Sequence, residues 1–156
     1  MKKWYEDNKL AVSFGATPSI AIRYALPSMS DQEIKSVKKY PFINKRDLEV
    51  RIENKENGRT HGFTIPKGYC FDGASVPKFF WRVIGAPTDN EFLVAALVHD
   101  YLCENKQLIL NDRALSTNVF AGLLKVSEVS SFKRFLMKNA IACYQTVFCD
   151  WGLQWN

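Results

Sequence analysis

The sequence predicts an α+β protein, in which an N-terminal antiparallel β-sheet built from hairpins is packed by three to four C-terminal helices. Residues 47–53 alternate between polar and apolar, which is the pattern of a strand with one buried face. The turn dipeptide Asn57-Gly58 follows, so a hairpin with a return strand at residues 60–65 is expected. Beyond Phe71 the alternation stops, and apolar runs of helical length replace it.

The length of 156 residues suits one domain that can bury its own core. A single domain over residues 1–156 is therefore expected, β-rich over 1–72 and helical over 75–152. Two separate domains are disfavoured, because neither half is large enough to bury much apolar surface alone.

Further strands are expected in the first half, where short apolar stretches end at turn residues. Residues 28–39 are polar and fit either a loop or a short helix. The other strand candidates are residues 10–14, 20–26 and 69–71.

Capping signals locate the helices of the second half. Ser75 is predicted to cap the first of them. Thr88 and Glu91 form a capping box, in which each side chain satisfies a backbone amide of the first turn. The predicted helices span about residues 75–85, 88–103, 112–125 and 127–152.

The charge pattern does not indicate a nucleic-acid partner, and the apolar runs do not indicate a membrane span. The net charge is +5, from 21 basic and 16 acidic residues, and the basic residues form only short, dispersed pairs. Charge of this size affects mainly solubility and non-specific attraction, and no known nucleic-acid motif is present. No apolar run is long enough to cross a bilayer, and no signal peptide is visible. The chain is therefore expected to be made and folded in a cytoplasm.

The four cysteines are expected to be reduced and unpaired. Cys70, Cys103, Cys143 and Cys149 form no C-x-x-C pair, so a zinc knuckle is disfavoured. Cys103 lies in an apolar helical segment, where cysteine usually acts as a small buried hydrophobe.

Three ionisable residues in apolar surroundings are the candidates for catalysis: Asp72, His99 and Asp100. Burying a charge is costly unless it is paired or bound to a metal. His99 shares a helix face with Phe92 and Ala96, so it should point inward and need a partner there. Asp72 is the leading candidate for that partner, and both residues are expected to be largely buried.

Two interpretations of this group remain open. In the first, Asp72 orients His99 as a general base, or the two residues bind zinc or another divalent metal. In the second, Asp72 accepts hydrogen bonds from its own turn and from His99 in the core, and no cofactor is required. The second is favoured, because a lone His–Asp pair is more often structural than catalytic.

Other notable residues are assigned to structure or binding. Ser75 is best explained as a helix cap, and the aromatic cluster around Trp81 as core; Tyr101 and Arg113 join them in this class. His61 is placed on the polar face of the return strand. No nucleophile elbow, phosphate-binding glycine loop or His-x-x-x-His metal helix is present.

The motif FDGASVP at residues 71–77, the tryptophan at 81 and the motif AALVHDYL at 95–102 resemble a known family. It comprises the phage and prophage proteins grouped as domain of unknown function family 1353. The resemblance covers roughly residues 64–144. It implies a phage or prophage gene, often near virion or lysis genes, and other phage proteins as partners, but it supplies no activity.

This chain departs from the family pattern on the following helix. Family members commonly carry an Arg and then an Asp-x-x-Phe. Arg113 matches the Arg and Phe120 the Phe, whereas Thr117 stands where the Asp would be and Asp112 is in a different register. If that Asp completes a site in the family, the resemblance implies that this chain lacks it.

Two functions follow from these observations. The favoured one is a non-enzymatic component, virion- or tail-associated or an assembly factor, whose Asp72, His99 and Asp100 network fixes the joint between sheet and helices. Such a component would be made in the host cytoplasm and could be carried in the virion. The alternative is a small hydrolase, with or without a metal, that acts on cell-wall or similar material through the same residues. The missing nucleophile and the missing third metal ligand favour the first.

Overall fold

The structure is a computed structural model that describes residues 1–72, 90–126 and 138–139 of the chain. Its strands are β1 (Lys2–Glu6), β2 (Leu10–Phe14), β3 (Ile20–Ile22), β4 (Phe42–Asn44), β5 (Leu48–Asn54), β6 (Arg59–Ile65) and β7 (Cys70–Phe71). Its helices are α1 (Asp31–Lys39), α2 (Asn90–Glu104) and α3 (Arg113–Val126), with a 3-10 helix at Lys106–Ile109.

The α+β class is confirmed. The strands form two antiparallel sheets, one in the order β1-β2-β5-β6 and a smaller one in the order β3-β4-β7. Helices α2 and α3 follow the sheets in the chain and pack on each other. The predicted helix at 75–85 lies outside the described residues, and of the predicted helix at 127–152 only residues 138–139 are described, as helix. Thr88 of the predicted capping box also lies outside them, and the Glu91 side chain is not described.

The larger sheet owes its inner face to the alternation in β5. Leu48, Val50 and Ile52 are buried, while the side chains between them point outward. The predicted hairpin is confirmed, since β5 pairs antiparallel with β6 across a turn in which Gly58 has a φ of 72°. His61 lies opposite Ile52 in this pairing, so its predicted place on the polar face was wrong. Facing residues of neighbouring strands share one side of a sheet.

The smaller sheet is shorter than the sequence predicts. Strand β3 ends at Ile22, whereas strand character was expected as far as residue 26. The backbone amide of Arg23 still donates to the carbonyl of Pro41 at 2.7 Å. Proline has no amide hydrogen to return, so the ladder ends at this pair.

Two strands escaped prediction because their sequences carry little pattern. Strand β1 has the sequence KKWYE, lies at an edge of the larger sheet and is mostly exposed. Strand β4 has only three residues. Neither shows the alternation that identifies a half-buried strand.

Asn44, at the end of β4, fixes the turn that leads into β7. Its buried side-chain amide donates to the carbonyls of Ile65 at 3.2 Å and Pro66 at 3.1 Å. Its backbone amide donates to the carbonyl of Tyr69, and its carbonyl accepts from Gly68. Gly68 has a φ of 92°, a conformation that side chains disfavour. One buried residue thus sets the direction in which β7 leaves the turn.

The polar segment that fits either a loop or a short helix is a helix. Helix α1 is capped by Ser30, whose hydroxyl accepts from the Glu33 amide at 3.2 Å. The Glu33 carboxylate accepts in return from the Ser30 amide at 2.6 Å. This reciprocal capping box satisfies two backbone donors that the first turn leaves open.

Helix α2 is enclosed along its apolar run. Residues 93–98 are all buried, as expected for a helix without a polar face. The helix ends at Glu104, one residue beyond the predicted position. Within the described ranges, no helix is both long and apolar enough to cross a membrane.

The chain turns from α2 into α3 through two residues in the left-handed conformation, Leu110 with a φ of 55° and Asn111 with a φ of 60°. Asp112 then caps α3, because its carboxylate accepts from the amide of Leu115 at 2.9 Å. Its carbonyl accepts from Ser116 at 3.1 Å. This capping role accounts for an aspartate at position 112.

Helix α3 meets strand β1 at Gly122. A Cβ atom at this position would lie 2.4 Å from the ring of Tyr5, so the contact requires glycine. Strand β1 carries a register irregularity between Lys3 and Tyr5. Such bulges redirect side chains, and the Tyr5 ring rests on the helix here.

Candidate functional site

The candidate site lies where the end of β7 meets the second half of α2. Strand β7 is held by its pairing with β4, in which Phe42 faces Phe71. The edge of one ring of the Tyr69–Tyr101 pair meets the face of the other, with centroids 5.1 Å apart. This aromatic contact joins the strand to the helix, because Tyr69 precedes β7 and Tyr101 belongs to α2.

His99 is enclosed by protein. Its side chain is 1% exposed. The ring of Phe120 in α3 lies 5.2 Å from the imidazole, centroid to centroid. The Cys103 sulfur lies 3.6 Å from Nε2 and 3.8 Å from Nδ1, on the shared helix face that the sequence predicts. The inward orientation of His99 is therefore confirmed.

Burial lowers the pKa of His99 to about 4, and the charge of Asp72 opposes this shift without cancelling it. The imidazole is thus neutral at pH 7. A neutral ring can accept a proton or bind a metal through one nitrogen. At 1% exposure the ring is reached only from within the protein.

Asp72 is exposed, and the expectation that it is largely buried was wrong. The physical reason is strand alternation. Phe71, the last residue of β7, points into the core, so the next side chain points to the other side. Exposure also avoids the cost of burying a carboxylate. Asp72 still lies close enough to His99 for its charge to act on the imidazole.

Asp100 is buried beside His99, with 8% of the residue exposed. Its Oδ1 atom lies 3.7 Å from His99 Nδ1. That separation exceeds a normal hydrogen bond, and the neutral imidazole at pH 7 carries no charge to attract the carboxylate. The contact becomes an ion pair only when His99 is protonated.

Tyr69 is the member of this group that the sequence analysis missed. Burial raises the pKa of its hydroxyl, and the nearby charges of Glu104 and Asp100 raise the pKa further. The hydroxyl is buried near the Glu104 carboxylate, yet no described residue forms a hydrogen bond of normal geometry with it. In the sequence, the position of Tyr69 is indicated only by its spacing of two residues from Phe71, which puts both side chains on one face of a strand.

The residues assigned to structure or binding have different outcomes. Tyr101 stacks on Phe63 with ring centroids 5.9 Å apart, in addition to its contact with Tyr69. Arg113 opens α3, and its carbonyl accepts from the Thr117 hydroxyl at 3.1 Å. Ser75 and Trp81 lie outside the described residues.

The described residues do not gather ligands for a metal. No group of three or more His, Cys, Asp or Glu side chains among them could hold an ion. Thr117 is buried and directs its hydroxyl to the backbone of its own helix. Cys70 and Cys103 are not joined by a disulfide, and the other two cysteines lie outside the described ranges, so the expectation that all four are reduced stays a prediction.

These features define an α+β protein with a buried histidine and acidic neighbours at the joint between sheet and helix. The chain belongs to the family described as "Protein of unknown function (DUF1353)", which matches residues 47–141. The resemblance found in the sequence is thereby confirmed.

The uncharacterized protein y4jT of Sinorhizobium fredii (strain NBRC 101917 / NGR234) is similar to this chain. The two are 36% identical over 90 residues, which make up 58% of this chain and 25% of that relative. The chain thus matches about a quarter of the relative's length. No solved structure matches the chain.

Proposed function

We propose that this chain is a non-enzymatic phage- or prophage-type component, virion- or tail-associated or an assembly factor. In this proposal His99, Asp100 and Asp72 hold the joint between the small sheet and the helices. The phage setting rests on the resemblance of the motifs at 71–77 and 95–102. The non-enzymatic role rests on the geometry of the joint.

The observation that carries the proposal is the burial of His99. Its imidazole is 1% exposed and lies between Cys103 and Phe120. A general base must come within hydrogen-bond reach of the proton that it removes. The enclosure of the ring therefore supports a packing role for His99.

The surrounding contacts are those of a structural joint. Tyr101 connects Tyr69 to Phe63 through two ring contacts, so the segment before β7, strand β6 and helix α2 are tied together. Aromatic pairs of this geometry stabilise a fold by about 0.5–1.5 kcal/mol beyond their burial. Asp100 lies 3.7 Å from His99, and the charge of Asp72 acts on the same imidazole.

One observation favours the alternative, a small hydrolase with or without a divalent metal such as zinc. Asp72 is exposed and acts electrostatically on the buried His99, so a carboxylate open to solvent is coupled to an ionisable ring. Perturbed ionisable groups gather at functional sites. In this alternative Asp72 is the residue that meets the substrate.

The two functions predict different behaviour for His99→Gln and Asp72→Asn. The non-enzymatic role predicts that His99→Gln lowers the free energy of unfolding by about 1–3 kcal/mol, because a packed core residue is lost. It also predicts that Asp72→Asn lowers this free energy, because the Asp72 carboxylate belongs to the proposed joint. The hydrolase alternative predicts instead that Asp72→Asn changes stability by less than about 0.5 kcal/mol and removes an activity or a bound metal. Asp31→Asn, an exposed acid in α1, is the matched control.

Urea melts of the three variants measure these changes. Metal analysis of the wild type, purified without chelators, and an assay of cell-wall degradation run beside them. If the wild type holds stoichiometric zinc or shows turnover, and Asp72→Asn abolishes either one, the hydrolase is established and the structural role is refuted.

The phage setting has its own test. Particles purified from an induced lysogen that carries this gene should contain the chain, or assembly should fail when the gene is deleted. Mass spectrometry of the particles and electron microscopy of the lysate measure the two outcomes. Intact particles without the chain, made equally well after deletion, would contradict the proposal.

A further inference from the structure

A cleft of about 380 Å³ lies between the β1–β2 turn and helix α3, on a part of the molecule separate from the His99 joint. Small-molecule sites have volumes of roughly 300–1,000 Å³, so the cleft is large enough for a small ligand. The lining residues that matter here are Tyr5, Asp7, Lys9, Asn118, Lys125 and Lys138.

Three lysines give the cleft its charge. Lys9, Lys125 and Lys138 are exposed and line it from different segments of the chain. Within the described parts of the chain, none of their ammonium groups forms an ion pair with a carboxylate. The ammonium of Lys125 lies 3.4 Å from the Tyr5 hydroxyl and 5.8 Å from the centre of its ring.

The acidic residue of the lining, Asp7, is already occupied. Its carboxylate accepts from the Tyr5 hydroxyl at 2.7 Å, from the Lys9 amide at 2.7 Å and from the Leu10 amide at 2.8 Å. Burial acts to raise the pKa of Asp7, but these hydrogen bonds and the charge of Lys125 hold the pKa below its ordinary value. Asp7 is thus engaged by the turn, whereas the three ammonium groups are not engaged by any carboxylate.

The wall of the cleft is fixed before any ligand arrives. The Tyr5 ring rests on Gly122, where a Cβ would lie 2.4 Å from it, and its hydroxyl is anchored on Asp7. Asn8 and Asn118 add amide groups that can donate hydrogen bonds. A preformed wall lowers the ordering cost of binding.

We propose that this cleft binds a small phosphate-bearing molecule, whose phosphate is held by Lys9, Lys125 and Lys138. Lysine binds phosphate as a point charge, and three of them give the lining a net positive charge that Asp7 only partly offsets. The inference is independent of the role proposed for His99.

Titration of the wild-type chain with AMP, inorganic phosphate and adenosine tests the proposal, with calorimetry for affinity and backbone NMR for location. AMP and phosphate should bind saturably and shift the amide signals of Asn8, Lys9 and Asn118, while adenosine should not bind. Absence of saturable binding by both anions, or shifts centred elsewhere, would overturn the proposal.

A triple variant and a charge-matched control separate this cleft from diffuse attraction. Lys9→Gln with Lys125→Gln and Lys138→Gln should weaken AMP binding roughly tenfold or more. The control replaces the exposed Lys35, Lys38 and Lys67 by Gln and should bind as the wild type does. Equal weakening in both triple variants would refute a specific site. A single-stranded oligonucleotide that binds this cleft more tightly than AMP would also refute the small ligand.

Discussion

At the scale of a single residue, His99 shows how burial controls ionisation. Its pKa in the folded protein is about 4, below the ordinary value of 6.5. The folded state therefore binds fewer protons than the unfolded state between these values, and protonation favours unfolding. The contribution of the neutral ring is fully present above about pH 6.5 and is lost as the pH falls toward 4.

We expect protonation of His99 to lower the free energy of unfolding by about 3 kcal/mol as the pH falls from 7 to 4, since each pKa unit corresponds to about 1.4 kcal/mol. His99→Gln removes the titrating ring. The unfolding free energy of this variant should therefore fall by about 3 kcal/mol less than that of the wild type over the same pH range. Urea melts of both proteins at several pH values measure the difference. Parallel pH profiles would contradict the expectation and would place His99 in contact with solvent.

The residues of the joint also show which site features a sequence can predict. His99 points inward because the apolar run before it has no polar face, and this was visible in the sequence. Asp72 is exposed, against expectation, because the alternation that Phe71 imposes turns the next side chain away from the core. The position of Tyr69 depends on Asn44, which is distant in sequence and whose backbone amide donates to the Tyr69 carbonyl at 2.9 Å.

At the scale of the elements, capping decides where the helices begin. Asp112→Ala should lower the free energy of unfolding by about 1 kcal/mol, because the Leu115 amide loses its acceptor. Asp112→Asn keeps an acceptor oxygen and should lose much less. Chemical denaturation of both variants tests this. Equal losses would mean that the charge at position 112, and not the cap, is what matters.

Signals inside a segment, such as caps and alternation, explain why some elements were predicted and others were missed. Strands β2, β5 and β6 and the ends of α2 and α3 agree with the sequence within one or two residues, because alternation and helix signals lie inside each segment. Strands β1 and β4 were missed because they form by pairing with partners and carry no pattern of their own. The 3-10 helix at Lys106–Ile109 is likewise too short to show a period.

At the scale of the whole molecule, the Gly122 contact joins helix α3 to the first strand of the chain. Gly122→Ala should lower the free energy of unfolding by about 1–3 kcal/mol, because the added methyl group overlaps the Tyr5 ring. Tyr5→Ala removes that ring, so the double variant should be less destabilised than the sum of the two single variants. A double-mutant cycle from urea melts measures this coupling.

Additive effects in that cycle would show that α3 and β1 do not meet as described. The expectation of a single domain over residues 1–156 stays a prediction. A single cooperative transition by both fluorescence and circular dichroism would support it.

The corner between α2 and α3 indicates that this chain has not been selected for its highest possible stability. Leu110 adopts the left-handed conformation while 61% exposed, so it carries a conformational cost that its limited burial offsets only in part. Proteins are commonly retained once they are stable enough, and such positions persist. Asparagine tolerates this conformation, so Leu110→Asn should raise the free energy of unfolding by about 0.5–1 kcal/mol. A urea midpoint at or below that of the wild type would show that Leu110 is kept for another reason.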